Sequence, residues 1–554
     1  MHRRVARVSY PTLYLWSSNI LMCFGKPFNI LLQLLSGWRM NEREYPVPKR
    51  DYSCAPLSPL PREGWALLAL LAIMLLGAVL RFYGLGFQSL WGGELASWDL
   101  GERDTILRVF QDGTQPPLYF LILHFSQWIF GDSEWALRIP SAVAWWLCIP
   151  ATYLLGKKLY SEREGIMAAL FLTVLWHAVY YSQEARPYSM LILLSILTSY
   201  FWWDLMLGLR YRGELPKREA AWYIVCAVLC AYTHYFGLFL VLLQAAALTA
   251  IAFDSLRKVA LLYVPVALAY VPWLSGMVNL FRDGEPGHGE PTLQTLPDFF
   301  EFLFGRSALL ALAAWTLLCF LLLRGWDDLR PRRKGAGVPP GLLLAAWAVG
   351  SFAFAFAVSQ TSAGMLTDEN LLVSLPAVYL LVARAVTRAF SGRAAAVFQG
   401  TVAAGLAAVA SAYLLFSMDY YTTPTKEQVR EAAAYDVVAH GDKGTLVVGC
   451  DTDNRLDYYL NAGKSGGSKS VQACTAKDVS TVEGKVNEED YNEVFHLISR
   501  PAPDQQMVSM LQRNFQPVNY ERFDGAAVVT YKVGRHPSAG PPQPKRPSGL
   551  PRQE

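Results

Sequence analysis

Residues Pro117 to Phe130 read PLYFLILHFSQWIF, and whether this run crosses a membrane decides how the rest of the chain is threaded. It holds about 14 residues, where a helix needs about 20 mostly apolar residues to span a bilayer. Longer apolar runs lie on both sides of it: 64–82 before it, then 137–156, 164–180, 187–206, 221–235, 236–253, 259–277, 303–324, 340–358, 371–389 and 395–417. By length these predict about eleven transmembrane helices. The stretch 221–253 reads either as two short helices meeting at Thr233-His234-Tyr235 or as one long tilted helix.

The loops between these runs fall into two sets. One set is basic: Arg43, Lys49, Arg50 and Arg62; Lys157, Lys158 and Arg163; Arg210, Arg212, Lys217 and Arg218; Arg257 and Lys258; Arg324, Arg330, Arg332, Arg333 and Lys334; Arg384, Arg388 and Arg393. The other set, 84–136, 181–186, 279–300 and 359–370, is longer or more acidic. Lys and Arg collect in cytoplasmic loops. The two sets alternate only if 117–130 does not cross, so it is expected to be a re-entrant or interfacial helix. The basic loops then lie inside, and the C-terminal region lies outside.

Composition agrees with a polytopic membrane protein. Of 554 residues, 53% are hydrophobic and 17% charged, against about 25% charged in soluble domains. The net charge of +4 gives no argument for nucleic acid. The 8 cysteines are scattered, with no CxxC pair. Cys226 and Cys230 lie one helical turn apart in an apolar run, as buried neutral thiols do. If the C-terminal region faces an oxidising compartment, Cys450 and Cys474 are available to pair.

Residues 1–62 are apolar in part but broken by Lys26, Pro27 and Asn29, and no small-residue cleavage site follows. They are read as an uncleaved cytoplasmic or interfacial extension. Residues 63–418 form the expected membrane domain, with a long loop at 84–136. Residues 419–535 alternate helix-like and strand-like stretches and are expected to be a small soluble α/β domain. The tail 536–554, rich in Pro, Gly, Lys and Arg, has the composition of a disordered segment.

Ionisable and polar groups at membrane depth are costly and are candidates for function. Four clusters share the expected outer side. Trp91-Gly92-Gly93-Glu94 opens the first loop, with Asp99, Glu102 and Asp104 beyond it; ordinary solvated acids are the plain alternative. Gln115-Pro116-Pro117-Leu118-Tyr119 suits a helix start, and alone is only a breaker signal. In Tyr181-Ser182-Gln183-Glu184-Ala185-Arg186-Pro187-Tyr188 the acid and base either pair with each other or hold a phosphate, for which arginine offers a forked set of donors. Asp368-Glu369-Asn370 opens a span, where helix capping by acids is the ordinary explanation. His234 is a single histidine between tyrosines, and packing is its ordinary role. No His, Cys and Asp set has metal-ligand spacing; no cofactor is assigned, and a divalent metal ion is left open.

The order of these segments, Arg81-Phe-Tyr-Gly-Leu with Ser89-Leu-Trp91, Gln115-Pro-Pro-Leu-Tyr, Ala136-Leu-Arg138-Ile-Pro140-Ser, Tyr181-Ser-Gln-Glu-Ala-Arg186, Tyr232-Thr-His-Tyr-Phe236 and Asn370-Leu-Leu-Val-Ser-Leu-Pro376, resembles the GT-C glycosyltransferases. Within them it is similar to protein O-mannosyltransferases, lipid A aminoarabinose transferases and their bacterial dolichyl-phosphate-mannose-type relatives, over roughly 64–440. The resemblance implies a plasma (bacterial inner) membrane enzyme that passes a sugar from a polyprenyl-phosphate donor to a glycan, lipid or protein acceptor in the envelope. It implies an acid in the first outward loop as general base and basic groups on the departing phosphate. On that basis Glu94 and Asp99 are the candidate catalytic acids. Trp91, Gln115, Tyr119, Glu184, Arg186, Tyr188, His234, Glu369 and Asn370 are the candidate donor- or substrate-binding residues.

Two positions depart from the pattern. Gly93 stands where the family's loop carries an Asp, and Glu369 stands where it often carries an Arg. Either Glu94 or Asp99 takes over as base, or Glu369 supplies a carboxylate from the other side, or the chain is a non-catalytic subunit of polysaccharide assembly. A lipid-linked glycan transporter is the competing class. It predicts paired repeats with charges at mid-membrane, whereas here the charges sit at the ends of the runs.

Overall fold

The computed structural model describes residues 62–101, 115–283, 295–304, 306–324, 338–360, 365–389, 395–440, 445–449, 458–459, 469–472, 493–499, 505–524 and 526–532. The N-terminal extension, Glu102 and Asp104, Cys450 and Cys474, and the C-terminal tail lie outside the described residues.

The bundle starts with α1 (Arg62–Phe82), α2 (Gly92–Gly101), α3 (Leu118–Phe130) and α4 (Glu134–Leu159). It continues through α5 (Glu162–Val174), α6 (Trp176–Tyr180), α7 (Tyr188–Leu207), α8 (Lys217–Thr233) and α9 (Tyr235–Ile251). Then come α10 (Leu256–Tyr270), α11 (Leu274–Asp283), α12 (Thr295–Leu303), α13 (Ala308–Arg324) and α14 (Pro340–Ser359). The short α15 (Asp368–Leu371) leads through a 3₁₀ turn into α16 (Leu375–Ala389), and α17 (Ala395–Ala412) closes the apolar part. Several of these helices turn large apolar side chains outward, among them Leu75, Leu261, Val349 and Val397. In water such a surface would drive association; against lipid tails it costs nothing.

The eleven apolar runs coincide with helical stretches. Among the described residues seven helical stretches have the length and apolarity of a span, or up to nine if each of two bent pairs counts once. The two remaining runs, 221–235 and 236–253, are α8 and α9, separate helices of 17 residues each, at the short end of the length that crosses a bilayer. His234 between them is extended (φ −163°, ψ 151°), and its ring Nδ1 accepts the Phe236 amide, capping α9. Gly237 lets the two helices meet: a Cβ there would come within 2.2 Å of the Cys230 carbonyl. The run that decides the threading is α3, 13 residues long, or about 20 Å at the rise of an α-helix.

The bend between α5 and α6, 70° at Leu175, frees carbonyls that lipid cannot satisfy. Arg81 answers them from α1. Its Nη1 donates to Thr173 O at 3.2 Å and its Nη2 to Leu172 O at 2.9 Å, with the side chain fully buried. The bend turns the chain toward the Glu184–Arg186 turn.

After the bundle come α18 (Val429–His440), β1 (Thr445–Gly449), β2 (Lys469–Gln472), β3 (Glu493–Ser499), α19 (Gln505–Asn514), β4 (Gln516–Phe523) and β5 (Ala526–Lys532). The strands form one sheet in the order β2-β1-β3-β5-β4. β1 is parallel to β2 and β3, while β5 runs antiparallel to β3 and β4. α18 packs Val429, Ala432 and Ala433 on Phe495, Leu497 and Val528 of the sheet.

Candidate active site

Chain connectivity places the end of α1, the start of α4, the end of α6, the start of α7, the α8–α9 junction, the start of α15 and the end of α17 at one end of the bundle. There the first loop folds into α2, and a group of buried charges gathers beneath it.

Glu94 is the centre of that group and is fully buried. Arg138 meets it with a forked pair, Nε to Oε1 at 2.7 Å and Nη2 to Oε2 at 2.8 Å. Lys426 Nζ donates to Oε2 at 3.1 Å, the Ala185 amide to Oε1 at 2.9 Å and the Trp91 amide to Oε2 at 3.4 Å. Burial alone would raise the Glu94 pKa, but Arg138 and Lys426 beside it hold it down to about 2. A carboxylate with both oxygens occupied and so low a proton affinity is a poor general base. This revises the expected role of Glu94: the geometry makes it the anchor of an ion cluster. Arg138 also donates to the carbonyls of Leu85, Gln88 and Ser89, so the same cluster fixes the path of the first loop.

Glu184 is nearly as buried, at 1% exposure. Its Oε1 lies 3.4 Å from Lys426 Nζ, while its Oε2 has no hydrogen-bond partner. Burial pushes its carboxyl up to about 7, against the pull of Lys426. Two residues on, Arg186 is half-buried. It donates from Nη1 to Gly93 O at 2.9 Å and from Nη2 to the Tyr188 hydroxyl at 3.3 Å, and its buried Nε has no partner. Its guanidinium lies 5.8 Å from the Trp91 ring centre and 5.6 Å from that of Tyr188.

Gly93, where the resemblance leads one to expect a carboxylate, is covered by the Trp91 ring. A Cβ at this position would come within 2.5 Å of that ring, so any side chain here displaces the indole.

The remaining candidates divide. Tyr188 lies 6.0 Å from the His234 ring and 6.1 Å from the Tyr181 ring, and the Tyr181 hydroxyl donates to Glu369 Oε1 at 3.4 Å. Four segments far apart in sequence therefore touch in a chain running from Gly93 through Arg186 and Tyr188 to His234 on one side and Glu369 on the other. Glu369 is half-buried, and its neighbour Asp368 pairs with Arg306 at 2.7 Å. Asn370 is half-buried and donates to Met365 O at 3.0 Å. Tyr119 meets Ser141 of α4 instead. It is fully buried and bonded to Ser141 Oγ at 2.9 Å, and Ser141 donates to Arg186 O at 3.0 Å. The expected substrate contact of Tyr119 is thus revised to a support of the Arg186 turn. Asp99 and Gln115 are half-buried, on α2 and just before α3. Among the described residues no three His, Cys, Asp or Glu side chains are grouped to hold a metal ion.

Two cations of the cluster carried no functional label in the sequence. Arg138 had a signal, a lone arginine inside an apolar run. Lys426 had none, because its partners Glu94 and Glu184 lie hundreds of positions earlier in the chain.

Residues 114–276 match the family model for dolichyl-phosphate-mannose-protein mannosyltransferase. The fold is shared with ArnT from Cupriavidus metallidurans bound to undecaprenyl phosphate, at 14% identity and a TM-score of 0.55, over 85% of this chain and 98% of that one. The apo form of the same ArnT superposes with a TM-score of 0.51 at 14% identity, over 84% of this chain and 98% of that one. No curated protein sequence matches the chain. The chain therefore has the GT-C fold, and the segment matching the family model carries Gln115, Tyr119, Arg138, the Glu184–Arg186 turn and His234.

Proposed function

We propose that the chain is a membrane glycosyltransferase that moves a sugar from a polyprenyl-phosphate donor to an acceptor hydroxyl at the outer face of the membrane. The observation that carries this reading is the convergence on Arg186. A cation with an unpartnered buried Nε lies 5.8 Å from the Trp91 ring centre and 5.6 Å from that of Tyr188, and Tyr188 and Tyr181 link it to Glu369. ArnT, which shares the fold, binds undecaprenyl phosphate, and this supports a lipid-phosphate ligand here.

In the reaction the acceptor hydroxyl gives its proton to the Glu369 carboxylate as its oxygen bonds to the anomeric carbon. The bond from that carbon to the phosphate oxygen breaks, and its electron pair leaves with the polyprenyl phosphate. Arg186 neutralises the charge that grows on the phosphate, as forked guanidinium donors do well. Trp91 and Tyr188 offer ring faces to the sugar. Glu94 and Arg138 hold the loop on which Trp91 and Gly93 stand.

The test is binding of undecaprenyl phosphate to purified protein in nanodiscs. Arg186→Ala removes a charge-assisted hydrogen-bond donor worth about 1.5–3 kcal/mol, so affinity is expected to fall roughly 10- to 150-fold with the thermal midpoint little changed. Equal affinity in a well-folded variant overturns the phosphate role. Orientation is tested separately. A cysteine replacing Glu290 is expected to react with an impermeant reagent added outside intact cells, and one replacing Arg330 is not. The reverse labelling pattern would put the site on the inner face.

A further inference from the structure

Lys426 stands outside the bundle's helices, in the segment between α17 and α18, yet it is 4% exposed and sits under the first loop. Its backbone is held there: Gln88 Oε1 accepts the Thr425 amide at 2.9 Å and the Lys426 amide at 3.3 Å, while Gln88 Nε2 donates to Thr423 O at 3.2 Å. The Nζ lies between two carboxylates, 3.1 Å from Glu94 and 3.4 Å from Glu184, and also donates to Gln183 O at 3.4 Å. Tyr180 faces it with its ring centre 5.4 Å away, and the Tyr420 hydroxyl bonds Gln183. Arg138 faces it across Glu94, and Arg186 and Glu369 act on Glu184 from beyond.

The charges of this group balance only as a set. With Arg138 paired to Glu94, Lys426 is the sole cation within ion-pair distance of Glu184 among the described residues. A buried cluster with an odd charge adjusts its protons. Without Lys426 the group that adjusts is Glu184, because the fork of Arg138 continues to hold Glu94 ionised. Glu184 is also the residue whose carbonyl closes the turn on the Arg186 amide, at 2.8 Å.

We propose that Lys426 is a positioning residue of the site, which sets the charge of Glu184 and fixes the turn that carries Arg186. The region after the last span is then part of the site's electrostatics. The link to transfer rests on the donor-binding role of Arg186 given above; the link to Glu184 does not.

The experiment is pH-difference infrared spectroscopy of the full chain in nanodiscs. The protonated-carboxyl band that Glu184→Gln abolishes belongs to Glu184. In wild type this band is expected to titrate near pH 7. In Lys426→Met its midpoint is expected to rise by about one pH unit or more, and Lys426→Arg is expected to return it toward wild type. An unchanged midpoint in Lys426→Met overturns the proposal. If Lys426→Met does not fold, the double variant Lys426→Met/Glu184→Gln, which removes one charge of each sign, is expected to recover a monodisperse protein. A double variant that folds no better than the single one also overturns it. Undecaprenyl phosphate binding is measured on the same samples. A shifted band in a protein that never binds the lipid leaves the role of Lys426 standing and removes the donor reading.

Discussion

Glu369→Gln is expected to lower the rate of sugar transfer by about 10²- to 10⁴-fold, the usual loss when a positioned general base is removed. Donor binding should hold or tighten, since the change removes a negative charge from the far side of the phosphate space. The fall therefore belongs to kcat and not to KM. Folding should be nearly unaffected. Glu369 is half-buried, and it accepts a long hydrogen bond from Tyr181 at 3.4 Å. Changes away from the core and from buried networks cost little. The measurement is single-turnover transfer with donor in excess, beside a thermal unfolding curve. Full activity in the variant would show that the proton goes elsewhere, with the unpartnered oxygen of Glu184 the next group to test.

Glu94→Gln is expected to act on the fold instead. Removing one partner of a buried ion pair leaves the other charge uncompensated and costs about 3–5 kcal/mol. Here two cations, Arg138 and Lys426, lose their partner at once. The loss should appear as a lowered thermal midpoint and as loosening of the first loop to proteolysis. The pH dependence has a definite sign. The folded-state pKa of Glu94, about 2, lies below its ordinary value of 4.5. Its stabilisation is therefore fully present above that ordinary value and is lost as pH falls from about 4.5 toward about 2. Wild type should lose stability across that window, and Glu94→Gln should lose less. If the variant folds with wild-type stability and is inactive, Glu94 is chemical and not structural.

These two carboxylates show what the sequence could and could not reveal. The apolar runs and the basic loops were legible because they are local and repeated, and length alone showed α3 to be short. At 221–253 the same local reading left open two short helices or one long tilted one, and the structure has two 17-residue helices parted by one extended histidine. Glu94, Arg186 and Glu369 stood out as charges beside apolar runs. Their division of labour did not, because it depends on which oxygens are already occupied. Glu94 is saturated by residues 138, 185 and 426, and only folding brings those together. Tyr119 likewise looked like a ligand contact until Ser141 proved to be its partner. At Gly93 the sequence showed a missing carboxylate but not its replacement, because the ring that fills the space belongs to Trp91, two positions earlier.

The most direct test of the account is release of undecaprenyl phosphate from undecaprenyl-phosphate-linked sugars presented to the purified protein in liposomes together with an envelope extract as acceptor. The account predicts release in wild type, loss of release in Glu369→Gln and weakened donor capture in Arg186→Ala. A folded wild-type protein that binds these donors and releases nothing, with rates equal to those of Glu369→Gln, would contradict it.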